Sequence, residues 1–263
     1  MPSIRVAVQG AYGKMGREVL KTLCEEPDLT PVGAIDSLAS EETVRLPDGS
    51  GSISLATSLD KLVDKIDVVI DFSTPEGAMQ AIRTATARKI HLVVGTSGLS
   101  EADIREAQEL ADSGGVGILI AYNFAIGAVL LMHLAAIAGK HFDYADLVET
   151  HHEAKVDAPS GSALAIARAA ASGRDHPFKI NTTEKETLSG TRGGVLNGVS
   201  VHSVRMPGRV AHHEILFGGL GQSLSIRHDS VNRESFMPGV VAAVKYVVTH
   251  TGLTVGLDKV LGL

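Results

Sequence analysis

Residues 4–20 read IRVAVQGAYGKMGREVL, and the fold is decided here. A short β-branched run (4–8) stops at glycine, and from Gly13 the apolar residues recur at helical spacing to about residue 26, so a strand turns directly into a helix. Gly10, Gly13 and Gly16 form G-x-x-G-x-x-G rather than the commoner G-x-G-x-x-G. Glycines at such a turn let backbone N–H groups approach a pyrophosphate at the helix N-terminus, where the helix dipole favours an anion. Turn glycines are common, and the spacing alone is a weak signal. Asp36, 26 residues after Gly10 at the end of the next strand-like run, strengthens it, because a carboxylate there accepts hydrogen bonds from an adenosine ribose. The alternative is an aspartate that caps a loop.

The same alternation continues outward. Strand-like runs at 30–35, 67–72, 90–94 and 117–121 are separated by helical patterns at 75–88 and 100–112. This predicts a doubly wound, Rossmann-like parallel sheet with helices on both faces. Residues 37–58, rich in Ser, Glu and Gly, read as an exposed excursion with at most short strands. Two further strand ends, DFSTP (71–75) and VVGTSG (93–98), place small polar turns where open α/β sheets bind ligands. A dinucleotide is the expected occupant.

After Phe124 the pattern changes. An apolar helix (127–141) leads to a strand (146–152) and a second helix (162–171). A Gly/Thr-rich stretch (189–198) precedes strand-like runs at 200–205, 212–217 and 223–228. The turns MPGR (206–209) and GGLG (218–221) favour antiparallel hairpins. We therefore expect a nucleotide domain over 1–124, joined by the helical C-terminal segment 235–263, and an α+β domain with a mixed sheet over 125–234 for substrate binding and oligomerisation. One helix-rich face on that sheet leaves the other to a partner.

Composition narrows the function classes. With 44% hydrophobic and 21% charged residues the chain reads as an ordinary globular protein, and a net charge of −6 offers no basic footprint for nucleic acid. The one cysteine, Cys24, sits in an amphipathic pattern as a small core residue, which rules out an intrachain disulfide and suits a reducing, cytoplasmic setting. The longest apolar stretch (128–139) is too short to span a bilayer.

The chemistry concentrates in ETHHEAKVDAPSGSAL (149–164). His151 and His152 can exchange protons near neutral pH, Lys155 can pair with a carboxylate, and the helix opening after Pro159 leaves free N–H groups that attract an anion. The bland reading is a polar loop before a helix. The sharper one is the equipment for reducing an anionic, unsaturated substrate, with hydride on one carbon and a proton on its neighbour. His212 and His213 form a second pair. Alternate strand residues face opposite ways, so one pair cannot offer both rings to one metal ion, and no metal is expected. His133 and His141 read as helix-face residues, while Arg192 and Arg233 could touch ligand or a neighbouring subunit.

GAYGKMG (10–16), DFSTPEG (71–77), GTSG (95–98), AYNFAIG (121–127), HHEAKVDAPSGSAL (151–164), SVRMPG (203–208) and HHEILFG (212–218), in this order, resemble the 4-hydroxy-tetrahydrodipicolinate reductase family, also called dihydrodipicolinate reductase. The resemblance covers essentially the whole chain. It implies reduction by NADH or NADPH in the diaminopimelate route to lysine, and a homotetramer. It implies His151 as proton donor/acceptor, Lys155 as the second catalytic cation, and His152, Gly161 and Ser162 as binders of a dicarboxylate substrate. It further implies a dinucleotide held by Gly10, Ala11, Tyr12, Gly13, Lys14 and Met15, by Asp36, by Gly95, Thr96 and Ser97, and by Ala121, Tyr122, Asn123 and Phe124. Ser162 stands where threonine is frequent and keeps the hydroxyl; Thr74 stands where some relatives carry arginine. Ser37, following Asp36, supplies no charge for a 2′-phosphate, so NADH is expected to serve at least as well as NADPH. Two alternatives stay open: another dinucleotide-dependent dehydrogenase acting on an aspartate-derived acid or aldehyde, and a non-catalytic dinucleotide sensor. An aldehyde enzyme would want a catalytic cysteine, and a sensor would have no reason for His151, Lys155 and the anion-ready helix start together.

Overall fold

The computed structural model describes residues 3–263, which form two compact units: residues 3–124 with 236–263, and residues 125–235. In the first unit, β1 (Ile4–Gln9), α1 (Lys14–Glu25), β2 (Leu29–Ile35), β3 (Thr43–Arg45), β4 (Ser52–Ala56), β5 (Val68–Asp71), α2 (Pro75–Ala87), β6 (His91–Val94), α3 (Glu101–Gly114) and β7 (Gly117–Ile120) follow in chain order. In the second, α4 (Ile126–Gly139), β8 (Tyr144–His151), α5 (Gly161–Ala171), β9 (Gly194–Leu196), β10 (Val199–Arg205), β11 (Ala211–Gly219) and β12 (Gln222–Ser230) follow, and α6 (Met237–Val247), β13 (Gly252–Val255) and α7 (Asp258–Leu261) return to the first.

The first sheet has the order β13-β7-β6-β5-β1-β2-β4-β3 and is parallel throughout except for the β3–β4 edge pair. Its central strands β1, β5, β6 and β7 are buried on both sides. Ala7, Val69, Leu92 and Ile118 pack into one core with Ala78, Ile82 and Ala85 of α2 and Ala107 and Ala111 of α3. Their alternating neighbours Val6, Val8, Val68 and Val93 are equally buried on the face of α1 and α6. The chain runs from β1 outward to β2 and then crosses to β5, so the strand order reverses between β1 and β5. Such a switch point leaves a crevice at the strands' C-terminal ends.

That crevice is where glycine is required. Gly10 has φ +77°, and a Cβ there would sit 2.3 Å from the Phe72 carbonyl oxygen; at Gly16 it would sit 2.2 Å from the Gly10 carbonyl oxygen. The glycines let β1, the β5 loop and α1 close on one another.

The second sheet has the order β12-β11-β8-β10-β9; β8 and β10 are parallel and the other pairs antiparallel. Ala145 and Leu147 of β8, Val201 of β10, and Ile215 and Phe217 of β11 form its core with Leu131 and Ala135 of α4 and Ile166 and Ala170 of α5.

Residues 37–58 are largely exposed and carry only the short strands β3 and β4, of which β4 extends the parallel sheet beside β2. Several expectations change. GGLG does close a hairpin between β11 and β12, but MPGR does not, because β8 lies between β10 and β11. The first helix of the second unit ends at Gly139, leaving His141 beyond it. The C-terminal segment supplies a strand, β13, as well as a helix. The open face of the second sheet is not simply apolar: Val148, Val204 and Leu216 lie there among the pairs His202–Asp146 (3.1 Å) and His212–Asp229 (2.6 Å). No helix among the described residues is long and apolar enough to cross a membrane.

Candidate active site

In the first unit, a cavity of about 430 Å³ opens at the switch point and brings together Gly10, Tyr12, Gly13 and Asp36 with Ser37, Ser73 and Thr74. Gly13 is the N-cap of α1 and offers no side-chain cap, so the first-turn N–H groups of Lys14, Met15 and Gly16 remain available to an anion. Asp36 ties the loop to the end of β2: its carboxylate accepts the backbone N–H of Tyr12 at 2.9 Å and that of Leu38 at 3.1 Å. Thr74 caps α2, its Oγ1 accepting from the Gly77 N–H at 3.2 Å.

A feature that sequence reasoning missed holds these loops together. Asp71, the last residue of β5, is 0% exposed and accepts hydrogen bonds from Gln9 Nε2 (3.0 Å), Ser73 Oγ (2.5 Å) and Thr96 Oγ1 (2.5 Å). Burial pushes this carboxyl's pKa up, and the three donors pull against it. One carboxylate thus joins the end of β1, the DFSTP loop and the GTSG loop that contains Gly95, Thr96 and Ser97. Gly95 has no room for a Cβ, which would sit 2.1 Å from the Phe72 ring. Phe72 in turn packs edge-on against Phe124, centroids 5.7 Å apart, at the end of the 121–124 loop, in which Ala121 is buried and Tyr122 exposed.

In the second unit, β8 alternates regularly, and its covered face carries Ala145, Leu147, Glu149 and His151. Two of these are ionisable. Glu149 is 0% exposed, and its Oε2 makes a very short hydrogen bond with Nδ1 of His151. Its Oε1 accepts from Arg205 Nη2 at 2.8 Å and, at 3.4 Å, from the backbone N–H of Ser160. Arg205 lies opposite His151 in the β8–β10 register. His213 of β11 meets His151 edge-on, with ring centroids 5.3 Å apart, and its Nε2 is 3.5 Å from Ser160 Oγ.

Electrostatics follow from this packing. Burial would raise the Glu149 pKa, yet Arg205, Ser203 and His151 hold it below the usual carboxylate range. Burial lowers that of His151; Glu149 opposes this, and the charges of Lys155 and Arg205 add to it. His213 is pushed down to about 4, by burial first and then by His151.

The histidine pairs are therefore split: His151 and His213 share the covered face, His212 pairs with Asp229 on the other, and His152 is exposed at the strand's end. Glu149, His151 and His213 could each offer one ligand atom, all within 4.8 Å of one another, a combination that considering each pair by itself overlooks. Arg205 already balances Glu149, and His151 Nδ1 is already bonded to it, so the group reads as a proton network. The period-two pattern of β8 would have placed Glu149 beside His151; His213 needed the β8–β11 register. Lys155 bonds Asp157 at 2.7 Å in the loop that ends at α5. Ser160 caps that helix through the Ala163 N–H, and Gly161 and Ser162 occupy its first turn, with open space around Gly161. Arg192 lies in the exposed loop before β9 and Arg233 begins a short 3₁₀ turn; neither is part of this cluster.

A doubly wound sheet with an uncapped glycine-loop helix, together with a buried Glu–His pair beside the start of a second-unit helix, is the plan of a dinucleotide-dependent oxidoreductase. Comparison with known proteins specifies which. The chain matches the family descriptions "Dihydrodipicolinate reductase, N-terminus" over residues 4–124 and "Dihydrodipicolinate reductase, C-terminus" over residues 127–261, and it belongs to that family. It is 48% identical to a 4-hydroxy-tetrahydrodipicolinate reductase of Dehalococcoides mccartyi over 100% of both chains, and 41% identical to that of Bacillus velezensis over 98% of both. Among solved structures it is similar to the dipicolinate-bound dihydrodipicolinate reductase of Paenisporosarcina sp. TG-14, with TM-score 0.87, 36% identity, and coverage of 98% of this chain and 99% of that one. An amine dehydrogenase from Mycobacterium smegmatis, with TM-score 0.66 and 14% identity, shares the fold alone.

His213 gives an acid-sensitivity that can be measured. Its folded pKa of about 4 lies below the unfolded value of 6.5, so between these pH values the unfolded chain takes up a proton that the folded protein refuses. Stability falls as pH drops through this window, by up to about 1.4 kcal/mol per pH unit from this one group. Urea unfolding of wild type and His213→Gln between pH 7 and 4.5 should show a smaller loss in the variant; parallel curves would place the His213 pKa near its ordinary value.

Proposed function

We propose that the protein reduces 4-hydroxy-tetrahydrodipicolinate to tetrahydrodipicolinate with NADH or NADPH, in the cytoplasm, on the diaminopimelate route to lysine. The carrying observation is the buried Glu149–His151 pair next to the start of α5, in a chain of this family. The relative that binds dipicolinate, a planar dicarboxylate, supports a ligand of that class. The substrate hydroxyl leaves with a hydrogen from the adjacent ring carbon, giving water and a conjugated ring; the bound dinucleotide would supply the hydride to one carbon of that ring, and a proton is added at the neighbouring carbon.

In this reading His151 gives the ring its proton. Lys155 exchanges the half-exposed Asp157, a weak partner at such a site, for one substrate carboxylate, and His152 with the N–H groups of Gly161 and Ser162 holds the other. The dinucleotide would lie along Gly10, Ala11, Tyr12, Gly13, Lys14 and Met15, with its adenosine ribose at Asp36 and its remainder at Gly95–Ser97 and residues 121–124. The uncapped α1 and the cavity at the switch point fit that group. His151→Gln should lower kcat by roughly 10²- to 10⁴-fold with dinucleotide affinity nearly unchanged, and Lys155→Ala should lower kcat and raise the substrate KM. The assay is loss of NADH absorbance on adding dihydrodipicolinate synthase product; a His151→Gln variant with more than about half of wild-type kcat would show that the proton comes from elsewhere.

NADH should be used at least as efficiently as NADPH. Asp36 lines the cavity, among the described residues no Lys or Arg lines it, and a carboxylate repels a 2′-phosphate. Loss of a charged hydrogen bond costs roughly 1.5–3 kcal/mol, which is about ten- to a hundredfold in kcat/KM, unless Lys14 or Arg17 compensates. A tenfold preference for NADPH at fixed salt would mean that these cations outweigh Asp36.

The homotetramer belongs to this proposal as well. The face of the second sheet opposite α4 and α5 presents Val148, Val204 and Leu216, apolar side chains that a second copy would cover. Light scattering at micromolar concentration should give four times the 27.5 kDa chain mass; a monomer would remove the claim.

A further inference from the structure

The motif around His151 contains a residue to which the reading above gives no role. Glu149 is wholly enclosed, two positions before His151 on the same face of β8. Burying a carboxylate is costly unless each oxygen finds a donor, and here each does. Oε1 takes Arg205 and the Ser160 N–H, and Oε2 takes Nδ1 of His151. A donor set this complete fixes the carboxylate's plane, and the carboxylate then fixes the imidazole. We propose that Glu149 is the positioning residue of this site: it accepts the Nδ1 proton of His151, sets that ring's orientation, and leaves Nε2 as the nitrogen that meets the substrate. The inference rests on His151 as the proton donor, and it adds which nitrogen acts and what holds it there.

The surroundings sharpen the expectation. His151 lies opposite Arg205 on β10, meets His213 on β11 and feels the charge of Lys155 in the following loop, while Ser160 at the start of α5 donates its N–H to Glu149. Burial and both cations disfavour the imidazolium; His213, with a pKa near 4, stays neutral and adds no charge near pH 7. Glu149 is therefore the group that keeps His151 able to bind a proton and deliver it. A histidine that loses such a partner becomes less basic, so the descending limb of kcat/KM, where the donor loses its proton as pH rises, should move to lower pH.

The test is Glu149→Gln, which preserves size but removes the charge, with Glu149→Asp as the variant that keeps it. For Glu149→Gln we expect kcat to fall at least about tenfold and by no more than the roughly 10²- to 10⁴-fold that loss of the donor itself costs. NADH affinity should stay the same, and the descending limb should shift acidward. Glu149→Asp should keep the limb near its wild-type position. In a His151→Gln background, Glu149→Gln should have little further effect on kcat, as expected for residues that act as a unit. Long-range ¹H–¹⁵N spectra of histidine-labelled protein read the tautomer without turnover, and wild-type His151 should be in the Nδ1–H form and lose that preference in Glu149→Gln. An unmoved pH limb, an equal loss of kcat in the His151→Gln background, or an unchanged tautomer would overturn the proposal. The spectra separate the two claims: a fully active His151→Gln variant would remove His151 as donor, while the tautomer would still report whether Glu149 sets the ring.

Discussion

A carboxylate sealed from water has to be answered atom by atom, and the enclosure of Glu149 is the constraint around which the second unit is arranged. β8 must lie between β10 and β11 so that Arg205 comes from one side and His213 from the other. The turn into α5 must bring the Ser160 N–H back to the strand's end. Removing one partner of such a group costs more than the pair contributes in isolation, because the remaining charge is left buried and uncompensated.

The first unit meets a related demand with Asp71, which is equally enclosed and takes its donors from Gln9, Ser73 and Thr96. There the carboxylate aligns three loops at the switch point. Steric closeness does the rest, since a Cβ at Gly10 would overlap the Phe72 carbonyl. In both units a rigid, fully paired acid lies behind the groups expected to meet a ligand. The preorganisation is in the protein before any ligand arrives.

Local signals made much of this legible. β1, the glycine turn and α1 could be read from period and spacing because each depends on neighbours within a few residues, and the HHEAKVDAPSGSAL motif could be read because its members are contiguous. β4, β9 and β13 escaped for the opposite reason: SISLA, GVL and GLTV are short, and only pairing with distant strands makes them strands. MPGR looks like a hairpin turn, and nothing in its four residues reports that β8 lies between the strands it connects. His212 and His213 are indistinguishable as a dipeptide; the register that sets His213 opposite Glu149 separates them. Asp71 was visible as the start of a polar turn, but its burial depends on Gln9 and Thr96, 62 and 25 residues away.

The proposed reduction is checked by supplying NADH deuterated at the transferring position of C4, together with dihydrodipicolinate synthase product in ordinary water, and examining the ring product by NMR. One deuterium on a single ring carbon, with only protium on its neighbour, is the expected result. Deuterium at both positions, deuterium released to water, or no oxidation of the dinucleotide would contradict it.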